Sequence, residues 1–575
     1  MHVVTTKREY KGKTYETHLL QRSFREDGKV KHETLANLSH LPVAIVASIR
    51  AQLKGEKLVA AESLFTPVAS VPHGHVRAVL TVIRALGIPG LVSSTASRER
   101  DLIVAMIAAR ILFPDSKLAT TRRWLACTLA SELGVADASD DELYAAMDWL
   151  DERQGRIEKK LAKRHLADGQ RALYDLSSSY FEGEKCPLAR LGYSRDGKRG
   201  TLQVNYGLLA DGEGRPIAIS VYPGNTGDSS TVPDQLLKLR HDFKLKNVCL
   251  VGDRGMLGDK QVEAIREQNS EVDRLDWITA LKSGKLRALV ADGTLQLGLF
   301  DESNLYAFAH PDFPGERLMA CRNPVLGRLR AFKREDMLQA TRGELEKVQR
   351  LVAKGKLVSG EAIGVRVGKV VDKYCMAKHL RLDIADGHLA FEVDAASVAR
   401  EALMDGIYVL RTSLSAAHMD DAEVVRVYKS LQQVERAFRA FKGVDLLVRP
   451  IHHRLEERVR AHLFICMLAY YVLWHLKRAW APMLFIDEDL EGKADRDPVA
   501  PAQRSAEALA KASHQQLADG TPTHSYATLM AELATLSRVT MSRNDGGKTD
   551  TSYNVEVAPT DLQRRALELA EAVAL

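Results

Sequence analysis

The chain is poor in several features that would place it quickly. Its six cysteines, Cys127, Cys186, Cys249, Cys321, Cys375 and Cys466, stand far apart with no CxxC pair. That spacing argues against a zinc ribbon and for a reducing compartment. The opening residues, MHVVTTKREYKGK, lack the apolar core of a signal peptide. The most apolar stretch, Leu463 to Trp474, is too short to span a bilayer and reads as a buried helix. No internal repeat is visible. His452, His453 and His462, with Glu456 and Glu457 nearby, fall in no HExxH spacing, so a metal site is not indicated and DNA-facing or capping roles fit better. Ser177-Ser178-Ser179 lacks the GxSxG elbow of a serine hydrolase and suits hydrogen bonding at a strand edge. GKTYE near residue 12 lacks the preceding glycine and strand of a phosphate-binding loop, so no nucleotide cofactor is expected.

What is present is ordinary in bulk and uneven in pattern. The 575 residues allow a few domains and a large core. Apolar residues make up 45% and charged residues 27%, a globular balance. Lys and Arg exceed Asp and Glu by 81 to 75, a mild basic excess that permits a nucleic-acid partner.

The pattern divides the chain into six parts. Residues 1–60 read as a β-hairpin unit turning at Asp27-Gly28. Residues 61–166 read as helical: RERDLIVAMIAARILF has helical spacing, FPDSK makes a turn, and LATTRRWLACTLASEL forms a second helix exposing Arg122 and Arg123. A helix, a short turn and a basic helix suit DNA docking, and a purely structural hairpin fits equally well. Residues 167–282 hold three strands (ALYDLSSSY, TLQVNYGLLA, RPIAISVYP), then alternating helix and strand, which indicates a mixed sheet flanked by helices. Residues 283–405 read as a β-rich insertion with one charged helix; LRALVADGTLQLGLF and GVRVGKVV are among its strand-like runs. Residues 406–480 return with the strand IYVLRTSL, a helix from about Asp421 to Lys442, and another from near Arg454. Residues 481–575 form a C-terminal region, its 491–550 portion loose and holding one helix.

Three acids stand out by position. Asp175 lies inside an apolar strand, Asp253 ends the strand NVCLV, and Glu435 sits on the later helix. A carboxylate within an apolar strand must be paired, hydrogen-bonded or metal-bound, because burying it alone is costly. Strand ends are where α/β sheets place their sites, and two aspartates with a glutamate could hold a pair of Mg²⁺ ions. Gly252 and Gly255 would let the backbone bend and substrate approach. Taken singly, each acid is more often a cap or an ion-pair residue; the order strand, strand, helix shifts that balance. Tyr428, Glu435 and Lys442 are spaced by seven, so one helical stripe would carry all three. Residues 411–460 hold ten Lys and Arg against seven Asp and Glu.

With these residues together, the chain resembles bacterial insertion-sequence transposases of the DDE type. One branch of that family carries Tyr-(2)-Arg-(3)-Glu-(6)-Lys around its third acid and a β-rich insertion before it. Here Tyr428, Glu435 and Lys442 fit, and Leu431 stands where the arginine would be; Arg436 or Arg439 would substitute. YDLSSSYFEG and LVGDRGM resemble the first- and second-acid segments, and GNTGDSST and RPIHHRLEERVRAH further family segments. The resemblance implies an α/β RNase H-like catalytic core, a helical C-terminal region, and Asp175, Asp253 and Glu435 as catalytic ligands of two Mg²⁺ ions, with Mn²⁺ able to substitute. It implies Tyr428 and Lys442 as DNA contacts, with Arg436 or Arg439 in place of the arginine; Arg122 and Arg123 are DNA contacts on the separate reading of the helix, turn and basic helix at 98–133. Its partners would be double-stranded DNA, as terminal inverted repeats and target, and a second copy in a homodimer; no membrane is implied, and the location would be cytoplasmic, at the nucleoid. Two rival readings share these features: an RNase H-like structure-selective nuclease, and a non-catalytic DNA-binding protein derived from a transposase.

Overall fold

The computed structural model describes residues 1–56, 65–270, 272–296, 298, 300, 303–543 and 552–575. They fall into two units, Met1–Val71 with Ser537–Ala558, and Pro72–Leu536 with Pro559–Leu575.

The first unit opens with three antiparallel strands, β1 (His2–Tyr10), β2 (Lys13–Glu26) and β3 (Lys29–Asn37). Both connections are two-residue turns with positive φ at each position: Lys11-Gly12 at 49° and 72°, Asp27-Gly28 at 49° and 74°. Such turns match the twist of the flanking strands. The hairpin expected at Asp27-Gly28 is there, and GKTYE belongs to a second one. The helix Val43–Leu53 follows, with Val46 buried. β4 (Phe65–Pro72) then joins strands from near the other end of the chain, described below.

The second unit is a mixed α/β body around one large sheet. Its strands are β5 (Gln170–Tyr180), β6 (Arg190–Leu191), β7 (Leu202–Asp211), β8 (Pro216–Pro223), β9 (Asn247–Val251), β10 (Arg274–Ala280), β11 (Leu305–Phe308), β12 (Arg317–Arg322) and β15 (Ile407–Thr412). Their order is β11-β12-β15-β10-β9-β5-β7-β6, with β8 also on β7. β5, β7 and β8 form an antiparallel meander, whereas β9 runs parallel to both β5 and β10. Val204 through Asp211 are all buried, as expected of a strand covered on both faces.

The apolar stretch at 463–474 is the middle of a longer helix, Glu456–Ala479. With 24 residues it is long and apolar enough to cross a membrane, which corrects the reading from length. Its apolar surface is instead buried in protein, against β8 and the helices Arg98–Leu112 and Asp140–Asp151. The helical region at 72–166 is therefore part of this unit's core. Residues Leu102 to Ile111 are buried without interruption. The second helix of the expected pair is not continuous: Lys117–Arg123 and Leu129–Leu133 are separate, because Trp124 is pinned in the core and Cys127 is extended.

The insertion is not β-rich. β11 and β12 belong to the main sheet; beyond them stand the helices Pro324–Ala353, Gly360–Tyr374 and Ala395–Ala402, with only the hairpin β13 (Leu380–Ala385) and β14 (His388–Val393). GVRVGKVV lies within Gly360–Tyr374, and the run from Leu286 begins in the helix Ser283–Ala291. The β-branched residues suggested strand, yet Ile363, Val367 and Val371 repeat every four residues and bury one helical face, and Ser359 caps the start. The C-terminal region is not loose either. Helices Leu490–Asp495, Ala506–His514, Tyr526–Ala534 and Asp561–Glu571 follow one another. Leu529, Leu533, Ala566 and Ala570 are core residues, and Trp480 Nε1 donates to Ala566 O at 2.8 Å. Between these helices, β16 (Ser537–Arg543) and β17 (Ser552–Glu556) pair with each other and with β4, in the order β17-β16-β4.

A helical insertion has a measurable consequence. Gly364 and Gly368 lie mid-helix, and a methyl group at either would meet nothing within 4 Å. Replacing both with alanine should stabilise the protein by about 1 kcal/mol, because glycine costs about 0.5–1 kcal/mol in a helix interior. Urea denaturation of Gly364→Ala/Gly368→Ala checks this; a loss of stability would contradict the helix.

Candidate active site

Register explains how two of the acids meet. Along the parallel pair β5 and β9, Leu173 lies opposite Val251. Asp175 and Asp253 each stand two residues further, so both emerge level and on the same side. Asp175 is held mid-strand opposite Leu208, and its Oδ1 accepts from the N–H of Leu176 at 2.8 Å. Asp253 has left its strand. Its Oδ1 accepts from the N–H groups of Gly255 and Met256 at 2.8 and 2.9 Å, and Thr279 Oγ1 donates to its carbonyl at 3.1 Å. These bonds fix the carboxylate by one oxygen. Gly255 serves space rather than strain: a Cβ there would lie 3.2 Å from Asp253 Oδ1 and 3.7 Å from Asp228 Oδ2. Gly252 is likewise a packing glycine, against Leu257.

Glu435 reaches the same place from the helix Gln432–Lys442, where it is exposed and pairs with Arg439 at 3.4 Å. The single helix expected from Asp421 to Lys442 is two, Asp421–Lys429 and Gln432–Lys442. Ser430 Oγ donates to Val427 O at 2.6 Å, and Leu431 N–H bonds to Tyr428 O at 3.2 Å. A serine that hydrogen-bonds back to the preceding turn tightens and bends a helix. Tyr428 therefore does not share one straight stripe with Glu435 and Lys442, yet it still senses the acids. Burial, then the charges of Asp253, Asp175 and Glu435, push its hydroxyl up to about 12. Leu431 is 8% exposed and faces the core, so the position of the signature arginine points inward.

Asp175, Asp253 and Glu435 line one open pocket of ≈ 510 Å³. Its other walls are mainly charged: Arg195, Asp196, Asp228, Arg439, Lys442 and Arg449. Asp196, with its side chain only 1% exposed, takes the Lys442 ammonium at 3.1 Å and the Arg449 guanidinium at 2.5 Å, and its Oδ2 accepts from Tyr180 N–H at 3.1 Å. Arg195 pairs with Asp228. Burial lowers the pKa of Lys442, and Asp196 opposes that shift. Ser178 Oγ accepts from Arg195 N–H at 3.0 Å, and Ser179 shares a hydrogen bond with Tyr206, so these serines hold the strand and its loop.

Arg436, Arg122 and Arg123 lie outside this pocket. Arg436 turns to Gln433; Arg123 is tied to Asp115 at 3.3 Å and lies over the Phe113 ring. His462 is buried with Nε2 3.2 Å from Val448 O. Sequence reasoning missed Arg195, Asp196, Asp228 and Arg449. SRDGKRG looks like a solvated turn, and nothing in it marks Asp196 as buried; GNTGDSST carried family likeness but no residue was singled out.

Among the described residues, no group of three His, Cys, Asp or Glu stands in a metal-holding cluster. The donor set nevertheless suits a hard cation that keeps most of its water and needs one or two carboxylates. The Asp175 carboxyl shows the need for positive charge: burial, then the Asp253 charge and more weakly Glu435, push it up to about 7, against the pull of Leu176 N–H and Arg195.

Acids from two strands and a helix thus meet in a cation-walled pocket of a mixed α/β protein. Residues 178–472, more than half of the chain, match the family described as "Transposase DDE domain", and the chain belongs to that family. Residues 3–66 match the "IS1634 family transposase, N-terminal domain", which places it among insertion-sequence transposases. Asp253 and Glu435 lie within the first match and Asp175 just ahead of it. No curated protein matches the chain. A solved structure similar to it is the cryo-EM structure of a piggyBac transposase synaptic complex with hairpin DNA, 9% identical over 69% of this chain and 72% of that one, with a TM-score of 0.34.

The raised Asp175 carboxyl predicts a pH effect in chelator-treated protein. Between about pH 4 and 7 the folded state holds a proton that the unfolded state has lost, so this group's contribution to stability falls as pH rises through that window. Asp175→Asn should stabilise the protein by about 2 kcal/mol at pH 8 and by much less near pH 4. Denaturant titrations at the two pH values check the difference; equal effects at both would contradict the shift.

Proposed function

We propose that this transposase binds the terminal inverted repeats of its element, hydrolyses the phosphodiester at each end, and joins the freed 3′-hydroxyl to target DNA. The observation that carries the reading is the level placement of Asp175 and Asp253 on adjacent parallel strands, with Glu435 opposite, inside a pocket walled by arginines and a lysine. The order β8-β7-β5-β9-β10, an antiparallel meander followed by two strands parallel to its first, supports an RNase H-like core.

Asp175, Asp253 and Glu435 would hold two Mg²⁺ ions, or Mn²⁺. When bound, such ions supply a deprotonated water and stabilise the leaving oxyanion. The chain's own residues do the rest. Arg195, Arg439, Lys442 and Arg449 put positive charge around the scissile phosphate, and Asp196 holds two of those cations in place before DNA arrives. Tyr428, protonated at neutral pH, keeps an O–H for the DNA backbone. Arg436 and Arg122 would touch flanking duplex, and Arg123 would do so on leaving Asp115. Two ends call for two such sites, hence a homodimer on DNA.

Binding needs positive charge and shape; hydrolysis needs the acids. Asp175→Asn, Asp253→Asn and Glu435→Gln should each bind end DNA within about twofold of the parent and lose cleavage by roughly a thousandfold or more, and double variants should lose little beyond that. Chelation should stop cutting but not binding. Cleavage of a labelled end duplex, with binding measured in parallel, tests this; near-parental cutting by any one variant removes that residue from the triad. Lys442→Ala should weaken cleavage and lower the salt dependence of binding by about one phosphate contact.

A further inference from the structure

The three N-terminal strands separate their charge by face. β1 pairs with β2 over Lys13–Gln21, and β3 pairs with β2 over Leu19–Glu26. The sheet is thus three-stranded only at Leu19–Gln21. Beyond that waist it continues as two opposed two-stranded arms, turning at Lys11-Gly12 and Asp27-Gly28. Directly opposed residues share a face, and successive residues alternate faces. One face carries Glu9, Glu16, Glu26 and Glu33, every carboxylate of the three strands. Its cations are largely neutralised there, with Lys7–Glu16 at 2.6 Å, Arg22–Glu33 at 2.5 Å and Lys31–Glu26 at 2.6 Å. The same face meets the helix Val43–Leu53, whose Arg50 donates to Thr5 Oγ1 at 2.5 Å.

The opposite face has no carboxylate. Along it stand Arg8, Tyr10, Lys13 and Tyr15 on one arm, and Arg25 and His32 on the other, all exposed. No ion pair involves Arg8, Lys13 or Arg25 among the described residues. Two-stranded ribbons exposed on both sides are marginal in water, so long arms of this kind imply a partner. Unpaired cations interleaved with phenols and hydroxyls match a polyanion. A two-stranded ribbon also fits the major groove of B-form DNA, about 12 Å wide, whereas the deep, narrow groove of duplex RNA excludes it.

We propose that the carboxylate-free face of β1, β2 and β3 is a β-ribbon surface that lies in the groove of duplex DNA, its arms following the groove in both directions. This rests on the reading of the protein as an enzyme of DNA and adds the ribbon to the duplex contacts proposed for Arg122, Arg123 and Arg436.

The test uses the full chain and fluorescence anisotropy on labelled duplexes tiled across the DNA that flanks its own coding sequence. Arg8→Ala/Lys13→Ala should weaken binding about tenfold or more and reduce the salt slope by about two. Lys7→Ala/Arg22→Ala removes the same charge from the other face and should change affinity less than threefold. Equal losses from both pairs would reduce the effect to bulk charge and overturn the proposal, as would full competition by a matched RNA duplex. If the parent binds and cuts DNA while Arg8→Ala/Lys13→Ala does so equally well, the ribbon falls and the transposase reading stands. If the parent binds no duplex at all, both fall. A crosslinker at Thr6, on the carboxylate-free face, should capture DNA, and one at Thr14, on the acidic face, should not; the reverse pattern would also overturn the assignment.

Discussion

The parallel register of β5 and β9 is the constraint from which the site follows. It sets two carboxylates side by side at the point where one strand ends and the other continues. Like charges so placed, both of them half-buried, are unfavourable unless a cation joins them. The surroundings supply part of what is needed, through the Leu176, Gly255 and Met256 N–H groups and the Arg195 guanidinium. The remainder is left uncompensated, and the Asp175 carboxyl stays well above the usual carboxylate range. Much of the large unit serves to keep that register: β7 and β8 brace one side of β5, β10 braces β9, and the Glu456–Ala479 helix lies buried against β8.

A second layer of charge then sets the cations. Asp196 lines the same pocket as the three acids, with its side chain almost fully buried and engaged by cations. It ties Lys442, from the end of the Glu435 helix, to Arg449, from the segment after it. Tyr206 stacks near Phe441 and meets Phe438 edge-on, anchoring that helix over β7. Acid and cation positions are therefore coupled through one short helix, Gln432–Lys442, which carries both Glu435 and Lys442.

How much of this was legible beforehand depended on the range of the interaction. Asp175 and Asp253 stood out because each breaks a local pattern, a charge in an apolar strand or at its end, whereas Glu435 stood out only by its seven-residue spacing from Tyr428 and Lys442 and by the family resemblance; the structure brings the three to one pocket. Asp27-Gly28 was readable because the turn needs only its own two residues. The insertion misled because Ile363, Val367 and Val371 favour strands individually, while their four-residue repeat favours a helix. The 421–442 segment looked continuous because the interruption at Ser430-Leu431 is a tightened turn of helical backbone that leaves the apolar pattern intact. Asp196 was hidden for another reason: its burial comes from Lys442 and Arg449, far along the chain, and its own neighbours are those of a surface turn. The core roles of Leu533 and Ala570 were hidden in the same way.

The sheet β17-β16-β4 has a consequence for how the protein comes into being. β4 leaves the ribosome early, but its partner β16 is made only when most of the chain has been translated. At about 5–20 residues per second, that interval is roughly 20–90 s. During it the first unit lacks one of its two sheets. Completion of the N-terminal unit thus reports that translation has passed Asp175, Asp253 and Glu435, so a chain truncated before Ser537 carries a defect at its beginning as well as at its end.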